Sequence, residues 1–124
     1  MILLTPDLRE RLLANGRRRG LDHVPVVKFF NPLGIGTWLA TELDEDGDTL
    51  FGLADLGCPE LGSFSLEEMQ SIELPLGMGI ERDILFEAEF PLSVYIEAAR
   101  ASGHIVIDQR SLRAVALALQ REGL

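Results

Sequence analysis

The chain contains a single cysteine, Cys58, so it can form no disulfide within itself. A reducing compartment, the cytoplasm, is the expected location, and the fold must rest on its apolar core. Long apolar runs are also missing. Lys28, glycines and prolines break every apolar stretch well below the roughly 18 residues that a membrane span needs, so no membrane association is expected. The opening segment Met1-Ile2-Leu3-Leu4-Thr5-Pro6-Asp7 has no positive stretch before its apolar residues, which argues against a secretory signal. Basic residues are scarce where acids are dense: between positions 29 and 99 Arg82 stands alone against fifteen acidic side chains. With a formal net charge of −9, direct binding of nucleic acid is not expected.

What is present suits one domain over residues 1–124. A chain of this length, 47% apolar, buries about two thirds of its unfolded surface, enough for a core without metal or disulfide support. Thr5-Pro6-Asp7 starts a helix: the hydroxyl caps a free amide, proline fits the first turn, and the carboxylate faces the positive helix end. Leu8 and Leu12 continue the spacing set by Leu4, and Asn15-Gly16 stops the helix near residue 15. Val24–Phe30, Thr37–Leu43 and Leu50–Leu56 read as strands, with Leu39, Thr41 and Leu43 expected on one face of the second. The turn Asp44-Glu45-Asp46-Gly47-Asp48 joins two of them as an antiparallel hairpin.

Ser65-Leu66-Glu67-Glu68 is a capping box, with Phe64 and Met69 placed for a hydrophobic staple, and predicts a short helix over about 66–72. Alternation in Ile84–Phe90 predicts a further strand, and Leu92–Ser102 a helix closed by Gly103. Asp108 caps a last helix of about 109–122. Its Leu112, Val115, Ala116 and Leu119 form one apolar stripe and Leu117 adds to a second face, so it is either sandwiched in the core or part of a homodimer contact. The expected class is α+β: a small, mainly antiparallel sheet of about four to five strands, with an N-terminal helix, a short middle helix and two C-terminal helices covering one face.

Charge is unevenly placed. Residues 1–28 sum to +3, residues 29–99 to −14, and the last 25 to +2. One reading has the basic ends neutralising part of the middle on folding; the other is an acidic face that meets a basic protein partner.

Several blocks carry a family resemblance: Val26-Val27-Lys28-Phe29-Phe30-Asn31-Pro32, Thr37-Trp38-Leu39-Ala40-Thr41-Glu42, Asp46-Gly47-Asp48-Thr49-Leu50-Phe51-Gly52, Glu60 to Leu66, and Ile80-Glu81-Arg82-Asp83. Together with Leu4-Thr5-Pro6 they make residues 3–100 resemble the DUF2958 family, small bacterial proteins of unknown function. The last helix lies outside the resemblance. Membership implies a setting on plasmids and other mobile elements, sometimes near antirestriction genes, and no particular chemistry.

Candidate sites follow from the charged residues. Asp44, Asp46, Asp48 and Asp55 fall at positions 1, 3, 5 and 12 of a calcium-loop register. Thr49 replaces the required glycine, Asp55 the bidentate glutamate, and strands replace the flanking helices, so no metal is expected. Asp44, Glu45, Asp46 and Asp48 are instead the candidate interaction surface, at a hairpin tip. Glu81, Arg82 and Asp83 form a candidate ligand or structural cluster, with Arg82 expected to be pinned by carboxylates. Cys58 lacks a neighbouring base, His23 and His104 have no zinc spacing, and neither Gly34-Ile35-Gly36 nor Gly77-Met78-Gly79 has the Lys-Ser/Thr or helix that cradles phosphate. No cofactor is expected. The leading expectation is a noncatalytic interaction module whose acidic surface engages a basic protein; the alternative is a small enzyme or ligand binder using carboxylates around Arg82.

Overall fold

A computed structural model describes residues 1–123. Helix α1 (Pro6–Gly16) is followed by β1 (Val27–Phe30), β2 (Thr37–Leu43), β3 (Thr49–Asp55) and β4 (Pro59–Ser65). Next come α2 (Leu66–Ser71), a 3-10 turn at Pro75–Gly77, β5 (Glu81–Arg82), α3 (Leu92–Ser102) and α4 (Gln109–Glu122). The strands form one antiparallel sheet of order β4-β3-β2-β1-β5. This is the expected α+β class, with the caps where the sequence puts them: Thr5 Oγ1 accepts from Leu8 N–H at 3.2 Å, and Asp108 from Ser111 N–H at 2.9 Å.

Helices cover both faces of the sheet, not one. Leu12 of α1 and Leu66 and Met69 of α2 bury against Val27, Phe29, Trp38, Ala40, Leu43 and Leu50. On the other face Leu39 and Leu53 pack under Tyr95, Ala98 and Ala99 of α3 and Leu112 of α4. The two faces are set by a bulge. Leu39 pairs with Leu53 and Ala40 with Gly52, but the next pair is Glu42 with Phe51, which leaves Thr41 as the extra residue. One extra residue inverts the alternation after it. Leu43 therefore joins Trp38 and Ala40 in the first core rather than lying with Leu39, and Glu42 turns to the opposite face beside Phe51.

The bulge also seats α1. The Thr41 carbonyl accepts from the Asn15 amide at 2.9 Å, while the buried Thr41 hydroxyl donates to the Phe51 carbonyl at 3.3 Å. One residue on, a Cβ at Gly16 would lie 2.2 Å from the Leu43 oxygen, so the helix end rests directly on the β2 backbone.

Three readings need correction. Ile84–Phe90 pairs with no strand, and its first two residues lie in a turn. The sheet edge is already used at Glu81–Arg82, where Arg82 pairs with Phe29. Past β5 a turn at Asp83, where Phe86 N–H donates to the Asp83 carbonyl at 3.2 Å, redirects the chain. The alternation holds only from Phe86 on, with Phe86, Ala88 and Phe90 packed on the second core and Glu87 and Glu89 exposed, while Ile84 is 73% exposed in the turn. Secondly, no strand is expected between Leu56 and the helix at 66, and β4 occupies that stretch. Thirdly, α4 is not sandwiched: it packs through Leu112, Val115, Ala116 and Leu119 and leaves Leu117 49% exposed on its far side.

Gly52 and Gly62 face each other across β3 and β4 in unlike settings. A Cβ at Gly52 would sit 1.9 Å from the Leu39 oxygen, whereas one at Gly62 meets nothing within 4 Å. Gly52→Ala is therefore expected to cost at least about 1–3 kcal/mol in urea unfolding. Gly62→Ala should stay within about 0.5 kcal/mol of the parent. Equal effects would contradict the close approach of β2 to β3.

Candidate functional site

The hairpin acids are held by their own chain. Gly47, at φ 73°, lets the five-residue connection close, with Asp44 N–H donating to the Thr49 carbonyl at 2.9 Å. Asp46 turns both carboxylate oxygens inward, accepting from the Thr49 hydroxyl at 2.6 Å and from the amides of Asp48 and Thr49 at 2.8 and 2.9 Å. The Thr49 hydroxyl first, then those amides, hold its acidity below the ordinary aspartate range. Glu45 accepts from Arg17 Nε at 2.7 Å, and Arg19 pairs with Asp44. The Arg17 bond lowers the Glu45 carboxyl and raises the guanidinium in turn. The arginine loop after α1 thus lies on this turn, and Arg9 Nη1 adds a bond to the Gly47 carbonyl at 3.2 Å.

Asp48 does a different job. Its carboxylate accepts from the Ser65 hydroxyl at 2.8 Å and from the Glu67 amide at 2.8 Å, while Ser65 Oγ accepts from the Glu68 amide at 3.1 Å. The return bond of the capping box, from the Ser65 amide to the Glu68 carboxylate, does not form; Asp48 instead satisfies the Glu67 amide, so the hairpin caps α2 from outside.

The Glu81-Arg82-Asp83 cluster is divided. Arg82 Nη1 donates to the carbonyls of Ile2 and Leu3 at 2.8 and 3.0 Å, so carbonyls of the N-terminal segment, not carboxylates, pin it. Asp83 pairs with Lys28 at 3.3 Å, both largely screened from water, and Lys28 Nζ lies 5.6 Å from the Phe30 ring centre. Glu81 pairs through its backbone with Phe30. A cleft of about 360 Å³ opens here between Lys28, Phe30, Arg82, Ile84 and Leu85. Glu60 on β4 and the Asp55 carboxylate at the end of β3 lie across the sheet from it. Asp55 accepts from the Gly57 and Ile105 amides, both at 3.0 Å. Among the described residues no group of three or more His, Cys, Asp and Glu side chains is arranged to hold a metal ion. Cys58 is exposed in the turn between β3 and β4, and the His23 and His104 rings each bond a nearby carbonyl.

A division by side-chain length runs through the acids. Among the described residues every aspartate enters an ion pair or accepts a hydrogen bond; of the glutamates only Glu45 and Glu97 do. Six of the aspartates reach backbone amides, whereas most glutamate carboxylates carry no partner among the described residues.

The edge strand β4 was not foreseen. Leu66 N–H donates to the Asp48 carbonyl at 2.9 Å, which sets the ladder's parity: Phe64, Gly62 and Glu60 turn their amides to β3, Leu61 and Ser63 turn theirs outward. Two clefts flank these two residues on the α3 face of the sheet. One, about 500 Å³, lies between Ser63, Phe51, Glu42, Asp44, Asp22 and Arg19. The other, about 290 Å³, lies between Leu61, Leu53, Pro59, Ile96, Glu60 and Arg100. The sequence signal for β4 was the turn before it, where Asp55 caps Gly57 at φ 115°.

No described helix is long and apolar enough to cross a membrane. The family model for "Protein of unknown function (DUF2958)" matches residues 3–106, a span that ends before α4. No curated protein and no solved structure matches the chain.

Two measurements check the hairpin. Asp48→Ala is expected to cost about 1–2 kcal/mol by uncapping α2, read from denaturant midpoints; a neutral result would mean the cap is idle. Glu45, Asp46 and Asp108 all have their pKa held below the ordinary carboxylate value, Asp108 by the Ser111 amide. Their stabilisation is therefore present above about pH 4 and lost as the pH falls. The melting temperature should drop between about pH 4 and pH 2, with a shallower drop in Asp46→Asn. Equal slopes would contradict the assignment for Asp46.

Proposed function

The chain belongs to the DUF2958 family, and we propose that this protein is a noncatalytic interaction module that engages a basic protein through unpaired glutamates. The observation that carries the reading is the division of the acids. Asp44, Glu45, Asp46 and Asp48 are occupied by arginines, backbone amides and the α2 cap, so the hairpin tip supports the fold. Glu60 near one end of β4, Glu67 and Glu68 at the other, and Glu42 in the larger flanking cleft carry no such partner. Their charge is available to an incoming cation at low desolvation cost.

Around Arg82 the alternative, a ligand site, finds only Glu81 and Asp83, with Asp55 on β3 and Glu60 on β4 far across the sheet, and the Arg82 guanidinium is spent on carbonyls. A two-fold dimer through α4 is also disfavoured. The stripe that would meet its copy places Leu117 among Arg110, Arg113 and Arg121, whose like charges would oppose one another. The setting suited to the module is the bacterial cytoplasm, encoded on a mobile element. Its partner class is a protein that ordinarily grips nucleic acid, met here by negative charge in place of phosphate.

Affinity capture at about 50 and about 300 mM salt tests this. Basic proteins should be retained at the lower salt, released at the higher, and lost when Glu60, Glu67 and Glu68 are all changed to Gln. Capture that ignores both salt and the triple change would contradict the reading.

A further inference from the structure

We infer that β4 is a strand-addition site that takes an extended segment of the basic partner, an inference that rests on the glutamate reading for its choice of occupant. Three observations converge. The edge is open and long: β4 runs seven residues, and among the described residues no backbone group bonds the outward amides and carbonyls of Leu61 and Ser63. Natural sheets blunt such an edge with charged side chains, proline, a bulge or a covering element, and on β4 Glu60 is the one charge. Pro59 stands only at its start, and the β4 register with β3 is unbroken. The opposite edge shows the contrast, since β5 is two residues long and lies against the N-terminal segment through Arg82.

The clefts then match the period of a strand. Leu61 and Ser63 are two residues apart, about 6.6 Å along the strand, which is the repeat at which an added strand presents side chains to one face. A segment bonded to those two residues sets one side chain over each cleft.

The lining selects them. At Ser63 the floor is Phe51, and Glu42 is the carboxylate left unpaired once Arg19 has taken Asp44 and Ser93 has taken Asp22. That cleft suits a lysine or arginine, by charge and by the ring face. At Leu61 the lining of Leu53, Ile96 and Pro59 suits an aliphatic side chain. In the antiparallel sense the occupant reads Lys/Arg-x-aliphatic, within a segment positive enough to sit between Glu60 and Glu67. A second copy of this chain would instead bring Glu60 and its neighbours against an equally acidic edge.

The probe is a blocked seven-residue threonine peptide with Lys third and Val fifth, titrated into isotopically labelled protein and followed by amide chemical shifts. Shifts should centre on Leu61 and Ser63. N-methylation of the Lys and Val amides, which face β4, should weaken binding more than about tenfold, since each lost bond is worth about fivefold. N-methylation of the threonine between them, whose amide points away, should change it less than about twofold. Ser63→Pro removes an outward donor and should weaken binding at least about fivefold while melting like the parent. If that variant fails to fold, the pair of methylated peptides decides alone. Absence of shifts at millimolar peptide, equal binding of the two methylated peptides, or a concentration-dependent dimer that Ser63→Pro disrupts would each overturn strand addition. Equal binding that still falls with salt would leave the charge reading standing; a methylation effect indifferent to salt would leave strand addition and sink the charge reading.

Discussion

One inserted residue, Thr41, governs the layout of the molecule. Without it β2 would alternate strictly, Leu43 would leave the first core, and Glu42 would point into it beside Trp38. Burying an unpaired carboxylate there would cost several kcal/mol, so the inverted parity is a requirement of this sequence rather than an ornament. The same insertion releases the Thr41 carbonyl from the ladder and hands it to Asn15, while Gly16 admits the helix against Leu43. Seating α1 in turn brings Arg17 and Arg19 onto the hairpin acids. The position of Glu42 in the larger cleft and the pairing of Asp44 and Glu45 with arginines therefore share one cause.

Net charge divides accordingly. The aspartates are architectural: Asp46 closes a turn, Asp48 caps α2, Asp55 holds the Gly57 turn and the chain at Ile105, and Asp108 starts α4. Each trades hydration for charge-assisted bonds to amides, which are roughly twice as strong as neutral ones. Glutamates gain little by folding back, because the longer stem must give up more rotamer freedom to reach the same amide. A formal charge of −9 thus overstates what neutral structure must tolerate and understates where a partner would find it. At the hairpin tip arginines answer two of the four acids and neutral donors of the fold hold the other two; β4 is sparse in acid and open.

Local chemistry made much of the fold legible. Thr5-Pro6, Ser65 and Asp108 announced their helices because a cap is a contact within a few residues, and Gly103, at φ 82°, closed α3 for the same reason. What escaped were effects of distant partners. The Thr41 bulge depends on β3 and α1, neither of which marks β2 itself. β4 has Leu61 and Phe64 on opposite faces around a glycine, so its strand character comes from pairing with β3 and not from alternation. Phe86–Phe90 alternates because it lies on a core, yet it pairs with no strand of the sheet. The site shows the same split. Asp44 to Asp48 stood out by density, but the arginines that quench two of them lie over twenty residues away, and nothing in Glu60 or Glu42 alone marks them as unpaired.

The account stands or falls on whether the β4 edge is open in the isolated protein. Residue-by-residue amide hydrogen exchange reads this directly, since a bonded amide in a core ladder is protected and an outward one is not. The parity requires protection at Gly62 and Phe64 and fast exchange at Leu61 and Ser63. Uniform protection from Leu61 to Phe64 would show the edge covered, by a second copy or another segment. Uniform loss would show that β4 does not hold to β3, and either result would contradict the structure proposed for the site.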